Sequence, residues 1–196
     1  MADFPSTPFS NLTLTSNVPT LITRSLNGRE ERAQIATQFW SFSASFSNLT
    51  DTQRRQLLGF IMSKRGAYSS FTIELPDTLD DSSGAYTGTI TTTTATAGAL
   101  SFTATVASNN TLILRSGDMI KFANHDKVYM VTADATSTGA GGLTVSLFPA
   151  IRTTSNTIVV THKTVPITVR FGSQEYSFQM AQELFGSFDL DFIEVI

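Results

Sequence analysis

Residues 38–76, QFWSFSASFSNLTDTQRRQLLGFIMSKRGAYSSFTIELP, decide how this chain folds. Trp40, Phe42 and Phe46 stand at alternate positions with serines between them. A period of two residues is typical of a β-strand that buries one face and exposes the other. Phe71 and Ile73 alternate again near the end of the stretch. The pattern predicts a strand at each end of this unit, with the buried Trp40 in the first.

A helix is predicted between the two strands. Thr50 and Gln53 form a T-x-x-Q capping box, the usual signal of a helix start. Four apolar residues then follow at helical spacing and predict its buried face: Leu57, Leu58, Ile61 and Met62. Lys64 and Arg65 suit the negative end of the helix dipole, and Gly66 is the expected left-handed stop.

Composition indicates a folded, mainly β protein. The chain has 196 residues, 41% of them hydrophobic, which is enough apolar material for a packed core. It has no cysteine, so a disulfide framework and thiol chemistry are excluded. No apolar run approaches 18 residues, and the first five residues do not resemble a signal peptide, so we expect synthesis in a cytoplasm and no membrane span.

The composition changes sharply after a breaker segment at residues 76–84, PDTLDDSSG. The next part is rich in Thr, Ala, Ser and Gly and contains short alternating segments at fairly regular spacing, which is typical of a small barrel or sandwich. From Ile167 onward the sequence is again rich in aromatic residues, as it is in the first part. We therefore expect one domain from residues 1–85 and 164–196, a β-sandwich with one short helix, into which residues 86–163 are inserted as a small β-barrel.

Residues 20–34 predict a hairpin that turns at Asn27 and Gly28. The charged cluster REER at residues 29–32 follows the turn. Charge runs of this kind usually cover a solvated face. The cluster is either such a solvated hairpin tip or a contact between subunits.

Signals for catalysis, metal binding or a cofactor are weak. The two histidines, His125 and His162, are far apart in the sequence, and no nucleophile elbow, phosphate loop or zinc motif is present. Asp189 and Asp191 are a carboxylate pair, but alternate acids on a strand are ordinarily an exposed face. We expect no enzyme activity, no metal site and no cofactor.

Several motifs resemble those of the distal tail proteins of long-tailed bacteriophages. In the first part these are the strand of Trp40 and Phe42, the short helix, and the basic turn before Gly66. In the insert they are G-D-x-I at residues 117–120, V-Y-x-V at 128–131 and P-A-x-R at 149–152, which resemble an OB-like barrel inserted in some members. The resemblance implies a hexameric ring at the virion tail tip, joining the tail tube to the baseplate or receptor-binding proteins.

The charge distribution fits a ring. Residues 1–65 hold seven Lys or Arg against four acids, and residues 171–196 hold five acids and no base. In a head-to-tail ring each subunit presents two different faces that must complement each other. The candidate interface residues are Arg24, Arg29, Arg32, Arg54 and Arg55 on one side and Glu175, Glu183, Asp189, Asp191 and Glu194 on the other. The alternative is that both sets are solvated, or pair, within one subunit.

A second function class stays open, in which the insert binds a host-surface carbohydrate. Tyr86 and Tyr129 are the candidate residues, because a tyrosine ring can stack on a sugar. Binding of an oligonucleotide needs basic residues together with exposed aromatic rings. A net charge of −3 and the need for the insert's aromatic residues in its own core argue against a nucleic-acid site.

Overall fold

The computed structural model describes residues 4–5, 9–74, 86–174 and 186–196, without the side chains of residues 186 and 187. The helical elements of these residues are α1 (Asp51–Ser63) and a 3-10 helix (Gly66–Tyr68). The strands are β1 (Asn11–Asn17), β2 (Thr20–Arg24), β3 (Glu30–Gln34), β4 (Phe39–Leu49), β5 (Phe71–Glu74), β6 (Ile90–Thr94), β7 (Ser101–Thr105), β8 (Leu112–Leu114), β9 (Met119–Phe122), β10 (Val128–Val131), β11 (Ala135–Thr136), β12 (Gly142–Phe148), β13 (Val159–Thr161), β14 (Pro166–Phe171) and β15 (Gly186–Glu194). The mainly β class with a small barrel, as predicted, is confirmed.

The chain divides into two compact units. The first, called here the sheet unit, comprises Met1–Thr72 and Val169–Ile196, and the second, the barrel unit, comprises Ile73–Thr168. The domain limits drawn from the sequence remain a prediction, and the first of them, at residue 85, lies outside the described residues.

A five-stranded sheet in the order β1-β4-β15-β14-β5 forms the framework of the first part. Strand β4 is the centre of this arrangement, because it pairs antiparallel with β1 and with β15, where Phe42 lies opposite Phe192. Trp40, Phe42, Ala44 and Phe46 are all buried, as their alternation predicts. The serines between them lie on the other face and are exposed or half-buried.

Phenylalanine rings fill the buried side of this sheet. The rings of Phe71 and Phe171 lie 4.8 Å apart, and those of Phe171 and Phe192 lie 5.6 Å apart. Phe60 of α1 packs edge-on against Phe71 at 5.0 Å. Since aromatic pairs at such distances add to the gain from burying their area, they fix the helix on this face of the sheet.

Helix α1 begins at the predicted capping box. The Gln53 backbone N–H donates to Thr50 Oγ1 at 3.3 Å, and the Thr50 backbone N–H donates to Gln53 Oε1 at 3.0 Å. Leu57 and Ile61 are buried. The prediction for Met62 is wrong: its side chain is 57% exposed, because it lies beyond the edge of the helix's contact with the sheet.

The end of the helix also differs from the prediction. Lys64 is the C-cap, and Arg65 is the first left-handed residue, with φ 54°, followed by Gly66 with φ 64°. Lys64 is buried, with its ammonium 5.1 Å from the centroid of the Phe60 ring and 5.5 Å from that of Phe71. A cation over two aromatic faces is attracted by their quadrupoles, so the aromatic core, rather than the helix dipole, holds this lysine.

The barrel unit contains a closed barrel of six strands in the order β10-β12-β7-β6-β13-β9. Inward-facing residues alternate with outward-facing ones, as in β7, where Phe102 and Ala104 are buried and their neighbours exposed. The core includes Ile90, Phe122, Tyr129 and Val145, each fully buried. Closure removes free strand edges, so this small unit has its own complete core.

Candidate assembly surfaces

The hairpin of β2 and β3 is the most exposed element in the described part of the chain. Every residue of both strands is exposed, although β2 and β3 are paired over their full length from Thr20 and Gln34 to Arg24 and Glu30. Large apolar side chains of the hairpin and its flank face solvent: Leu21 is 50% exposed, Ile22 59% and Ile35 65%. An isolated two-stranded hairpin is at best marginally stable in water. Its exposed apolar residues therefore make it a candidate contact surface.

The turn of the hairpin is well defined. The Ser25 backbone N–H donates to Arg29 O at 2.9 Å, and the Gly28 N–H donates to Ser25 O at 2.9 Å. Gly28 has φ 83°, a left-handed conformation that glycine adopts without the penalty other residues pay. The predicted turn at Asn27 and Gly28 is thus where the structure places it.

Two of the three hairpin arginines are partly neutralised inside the hairpin. Glu30 lies 2.6 Å from Arg32 and 3.8 Å from Arg24. Both arginine side chains are 70% or more exposed, and exposed ion pairs of this kind contribute only about 0–1 kcal/mol. The described residues provide no ion pair for Arg29. With three arginines against Glu30 and Glu31, the hairpin keeps a small excess of positive charge.

Arg54 and Arg55 are engaged within their own helix. Asp51 contacts Arg54 at 2.8 Å and Arg55 at 2.6 Å. The Arg54 and Arg55 guanidiniums beside Asp51 hold the pKa of that carboxyl below its usual value. Asp51 is not one of the candidate acids, so the place of Arg54 and Arg55 in a ring interface stays a prediction.

The structure places the predicted acidic residues in different environments. Asp189 and Asp191 are exposed on the outer face of β15, where Asp189 accepts a hydrogen bond from Ser45 Oγ at 2.7 Å. Glu194 is only 4% exposed, and its Oε2 accepts a hydrogen bond from the Trp40 backbone N–H at 3.0 Å. Its assignment as a surface residue is therefore corrected. Glu175 and Glu183 lie outside the described residues.

A groove of about 370 Å³ lies on this outer face of the sheet. Its lining combines apolar surface with hydroxyl groups and one carboxylate, and consists of Thr15, Ser41, Phe42, Ser43, Gly172, Ser173, Asp191, Phe192 and Ile193. The hydroxyl groups donate and accept hydrogen bonds, whereas the Asp191 carboxylate accepts them when it is ionised. The groove therefore suits a partner that carries hydrogen-bond donors or a positive charge.

The two candidate sugar-binding tyrosines lie in the core of the barrel unit. Tyr129 is fully buried, with its hydroxyl 2.8 Å from His125 Nε2 and 2.9 Å from the Arg152 backbone N–H. Tyr86 is 6% exposed and donates to Thr89 O at 3.1 Å. A sugar stacks on an open ring face, and neither ring has one. Their role as glycan contacts is thus replaced by a role in packing and internal hydrogen bonding.

His125 belongs to a polar network at one end of the barrel. Its Nδ1 lies 2.8 Å from Asn124 Oδ1, which also accepts a hydrogen bond from Ser155 Oγ at 3.0 Å. The amide oxygen is only an acceptor, so Nδ1 carries the proton and Nε2 accepts from the Tyr129 hydroxyl. Burial lowers the pKa of His125. The geometry defines a neutral, structural histidine.

The His, Asp and Glu side chains are dispersed in the described part of the chain. No group of three or more His, Asp or Glu side chains there could hold a metal ion. The described helices are too short and too polar to cross a bilayer. The aromatic residues of the barrel unit between residues 86 and 163 are buried or half-buried, so the described surface lacks the stacking platform that single-stranded nucleic acids use.

The fold and these surfaces define a class: a mainly β structural protein with an exposed arm and an added barrel. Residues 84–163 match the family model described as distal tail protein pb9, B domain. No curated protein matches the chain. The barrel is thus similar to the B domain of a phage distal tail protein, and the match supports the family indicated by the sequence motifs. The match supports a structural role in a phage tail.

One surface was missed by the sequence reasoning. Met62, Arg65 and Tyr68 are all exposed at the end of α1 and in the turn that follows it. Apolar spacing assigned Met62 to the core, and the basic residues before Gly66 were interpreted only as a helix stop. The signal that was available is Tyr68 itself, an aromatic residue outside both alternating patterns.

Proposed function

We propose that this protein assembles into a homo-hexameric ring at the tip of the phage tail and joins the tail tube to the baseplate or receptor-binding apparatus. The observation that carries the proposal is the hairpin of β2 and β3, which is exposed on all sides and displays Leu21, Ile22 and Ile35. Such an element gains stability only when a second surface covers its apolar residues. A neighbouring subunit supplies that surface in a ring.

Charge supports the direction of assembly. Arg29, at the turn of the hairpin, complements the exposed acid Asp189 on the outer face of β15. Two different complementary faces on one subunit are the requirement of a head-to-tail ring. Complementary potentials guide encounter and register, and the apolar side chains supply the burial that holds the contact.

The size of the purified protein tests the ring directly. Light scattering coupled to size exclusion, or native mass spectrometry, should give a mass of six subunits at concentrations that support tail assembly. A protein that stays monomeric over that range contradicts the proposal. Images of intact virions, with this protein labelled by an antibody, should then place the ring between the tail tube and the distal structures.

Reversing the hairpin charge tests the proposed contact. In an Arg29→Glu and Arg32→Glu double variant we expect the subunit concentration needed for assembly to rise on the order of tenfold, most strongly at low salt. The melting temperature of the subunit should stay close to the wild-type value, since both side chains are exposed. Arg115→Glu with Arg152→Glu, two exposed residues of the barrel unit, is the matched control. Rings that form equally well from the hairpin variant at all salt concentrations would remove the cluster from the interface.

A further inference from the structure

The exposed surface at the end of α1, made by Met62, Arg65 and Tyr68 and called here the turn surface, has the composition of an interface core. Met62 is 57% exposed and Tyr68 83%, and Arg65 is also exposed. Tyr, Arg and Met are the residue types enriched at the centres of protein interfaces, where they supply most of the binding energy. The turn surface gathers one of each within seven residues of chain.

The backbone beneath the turn surface is held firmly. The buried Lys64 ammonium lies over the rings of Phe60 and Phe71, and the Ser69 backbone N–H donates to Lys64 O at 3.3 Å. A side-chain Cβ added at Gly66 would lie 3.4 Å from Gln174 O, so this part of the turn is in contact with the chain after β14. A firmly held surface loses little conformational entropy when it binds a partner.

Arg65 occupies a backbone conformation that suits glycine better than arginine. Its φ of 54° is in the left-handed region, which costs a side chain with a Cβ some strain. Within the described residues the Arg65 guanidinium has no hydrogen bond or ion pair that offsets this strain. An uncompensated left-handed arginine on the surface indicates that its side chain is used outside the subunit.

The complementary surface lies on the other face of the same sheet. Helix α1 packs on the phenylalanine side through Phe60, whereas Asp191 lies on the outer face and lines the hydroxyl-rich groove. Although the turn contacts Gln174, next to the groove residue Ser173, no ion pair among the described residues joins Arg65 to Asp191 within one subunit. They can meet between two copies arranged head to tail.

We propose that the turn surface of one subunit docks into the outer groove of the next, with the Arg65 guanidinium on the Asp191 carboxylate and the Tyr68 ring in the groove. The groove volume of about 370 Å³ accommodates one aromatic side chain. The Tyr68 hydroxyl then meets the Ser41, Ser43 and Thr15 side chains, which can donate to it or accept from it. An arginine can pair with a carboxylate through two parallel hydrogen bonds, which fixes the register of neighbours.

This inference rests on the proposed ring and is tested with the full chain in three steps. First, the mass of wild-type protein is measured as a function of concentration, and a ring must form. Second, Arg65→Gly and Tyr68→Ala are compared with wild type. Arg65→Gly removes the side chain and relieves the left-handed strain, so its melting temperature should equal or exceed that of wild type while its assembly requires at least tenfold more subunit.

Third, the ion pair is exchanged. Arg65→Glu and Asp191→Arg should each weaken assembly at least tenfold, and the double variant, in which the charges are swapped, should recover most of it. Arg115→Glu, an exposed charge change in the barrel unit, is the control and should assemble like wild type.

The outcomes separate this inference from the proposed function. A wild-type protein that never forms a ring contradicts the proposed function itself. A wild-type ring with Arg65→Gly and Tyr68→Ala assembling normally overturns the docking of the turn surface and leaves the ring intact. Loss in both single charge variants without recovery in the swapped double variant overturns the pairing of Arg65 with Asp191.

Discussion

At the scale of single residues, several side chains owe their roles to partners distant in the chain. Trp40 is 3% exposed, and its backbone N–H is bound by the carboxylate of Glu194, 154 positions away. This contact ties the start of β4 to the end of β15. The indole of Trp40 and the carboxylate of Glu194 are therefore buried close to each other. The Trp40 backbone N–H satisfies part of the hydrogen-bonding demand of this carboxylate.

Replacing Trp40 should therefore be costly. We expect Trp40→Ala to lower the free energy of unfolding by about 3–5 kcal/mol, the range of large aromatic truncations in cores. Urea denaturation followed by circular dichroism measures this change. Ser43→Ala, an exposed position of the same strand, is the control and should change the stability by less than about 0.5 kcal/mol. Unchanged melting of Trp40→Ala would contradict the buried placement.

The His125 network predicts a loss of stability in mild acid. Burial lowers the pKa of His125 in the folded protein, so the unfolded chain, with a pKa of about 6.5, binds the proton more readily. Stability should then fall as the pH drops below about 6.5, since protonation favours the unfolded state. Arg152 and Lys121 also disfavour the charged imidazole, and Asp126 favours it.

Melting temperatures of wild type and His125→Gln between pH 8 and pH 5 test this prediction. The variant should be less stable than wild type at pH 8, because it loses part of the network with Tyr129 and Asn124. Its stability should decline less steeply towards pH 5. Parallel curves for the two proteins would show that His125 is not the titrating group.

At the scale of elements, helix α1 depends on its first turn. It has 13 residues, a length at which an isolated helix is marginal in water, so its cap and its packing on the sheet must stabilise it. Two reciprocal hydrogen bonds between Thr50 and Gln53 supply the cap.

Removing this cap should have a moderate effect. We expect Thr50→Ala to cost about 1 kcal/mol of stability, the typical loss for an N-cap threonine or serine. Thr52→Ala is the matched control, because Thr52 is exposed in the same turn and alanine favours the helix. Denaturant unfolding of both variants makes the comparison. Equal stability of Thr50→Ala and Thr52→Ala would indicate that the capping box contributes nothing measurable.

At the scale of the whole molecule, we predict that the barrel unit is a separable insertion. Its six strands close on themselves around their own core. Strands β5 and β14, which flank the insertion along the chain, are neighbours in the five-stranded sheet. Domain insertion is tolerated where the chain leaves and re-enters at nearby points of the surface.

Deleting the insertion tests this organisation. With residues 86–163 replaced by a short Gly/Ser linker, we expect a soluble protein with a cooperative thermal transition and an unchanged capacity to assemble. Replacing residues 20–34 by a linker of the same composition is the comparison and should abolish assembly instead. An insoluble or molten product from the first deletion would show that the two units do not fold separately.

The local pattern of the sequence was sufficient to predict the strands around Trp40 and Phe71, the start of α1, the hairpin turn at Gly28 and the presence of a small barrel. These features depend on periodicity, capping and turn chemistry between residues close in the chain, and a period of two or 3.6 residues leaves few alternatives.

Tertiary structure alone decided what covers each face. Met62 fits the helical pattern but lies beyond the edge of the contact with the sheet, and Glu194 continues an acidic series but ends beneath the Trp40 backbone. Tyr129, a plausible sugar platform in sequence, faces the barrel interior because closure turns every second residue inward. Burial is set by contacts between residues far apart in the chain, and a single local sequence does not specify those contacts.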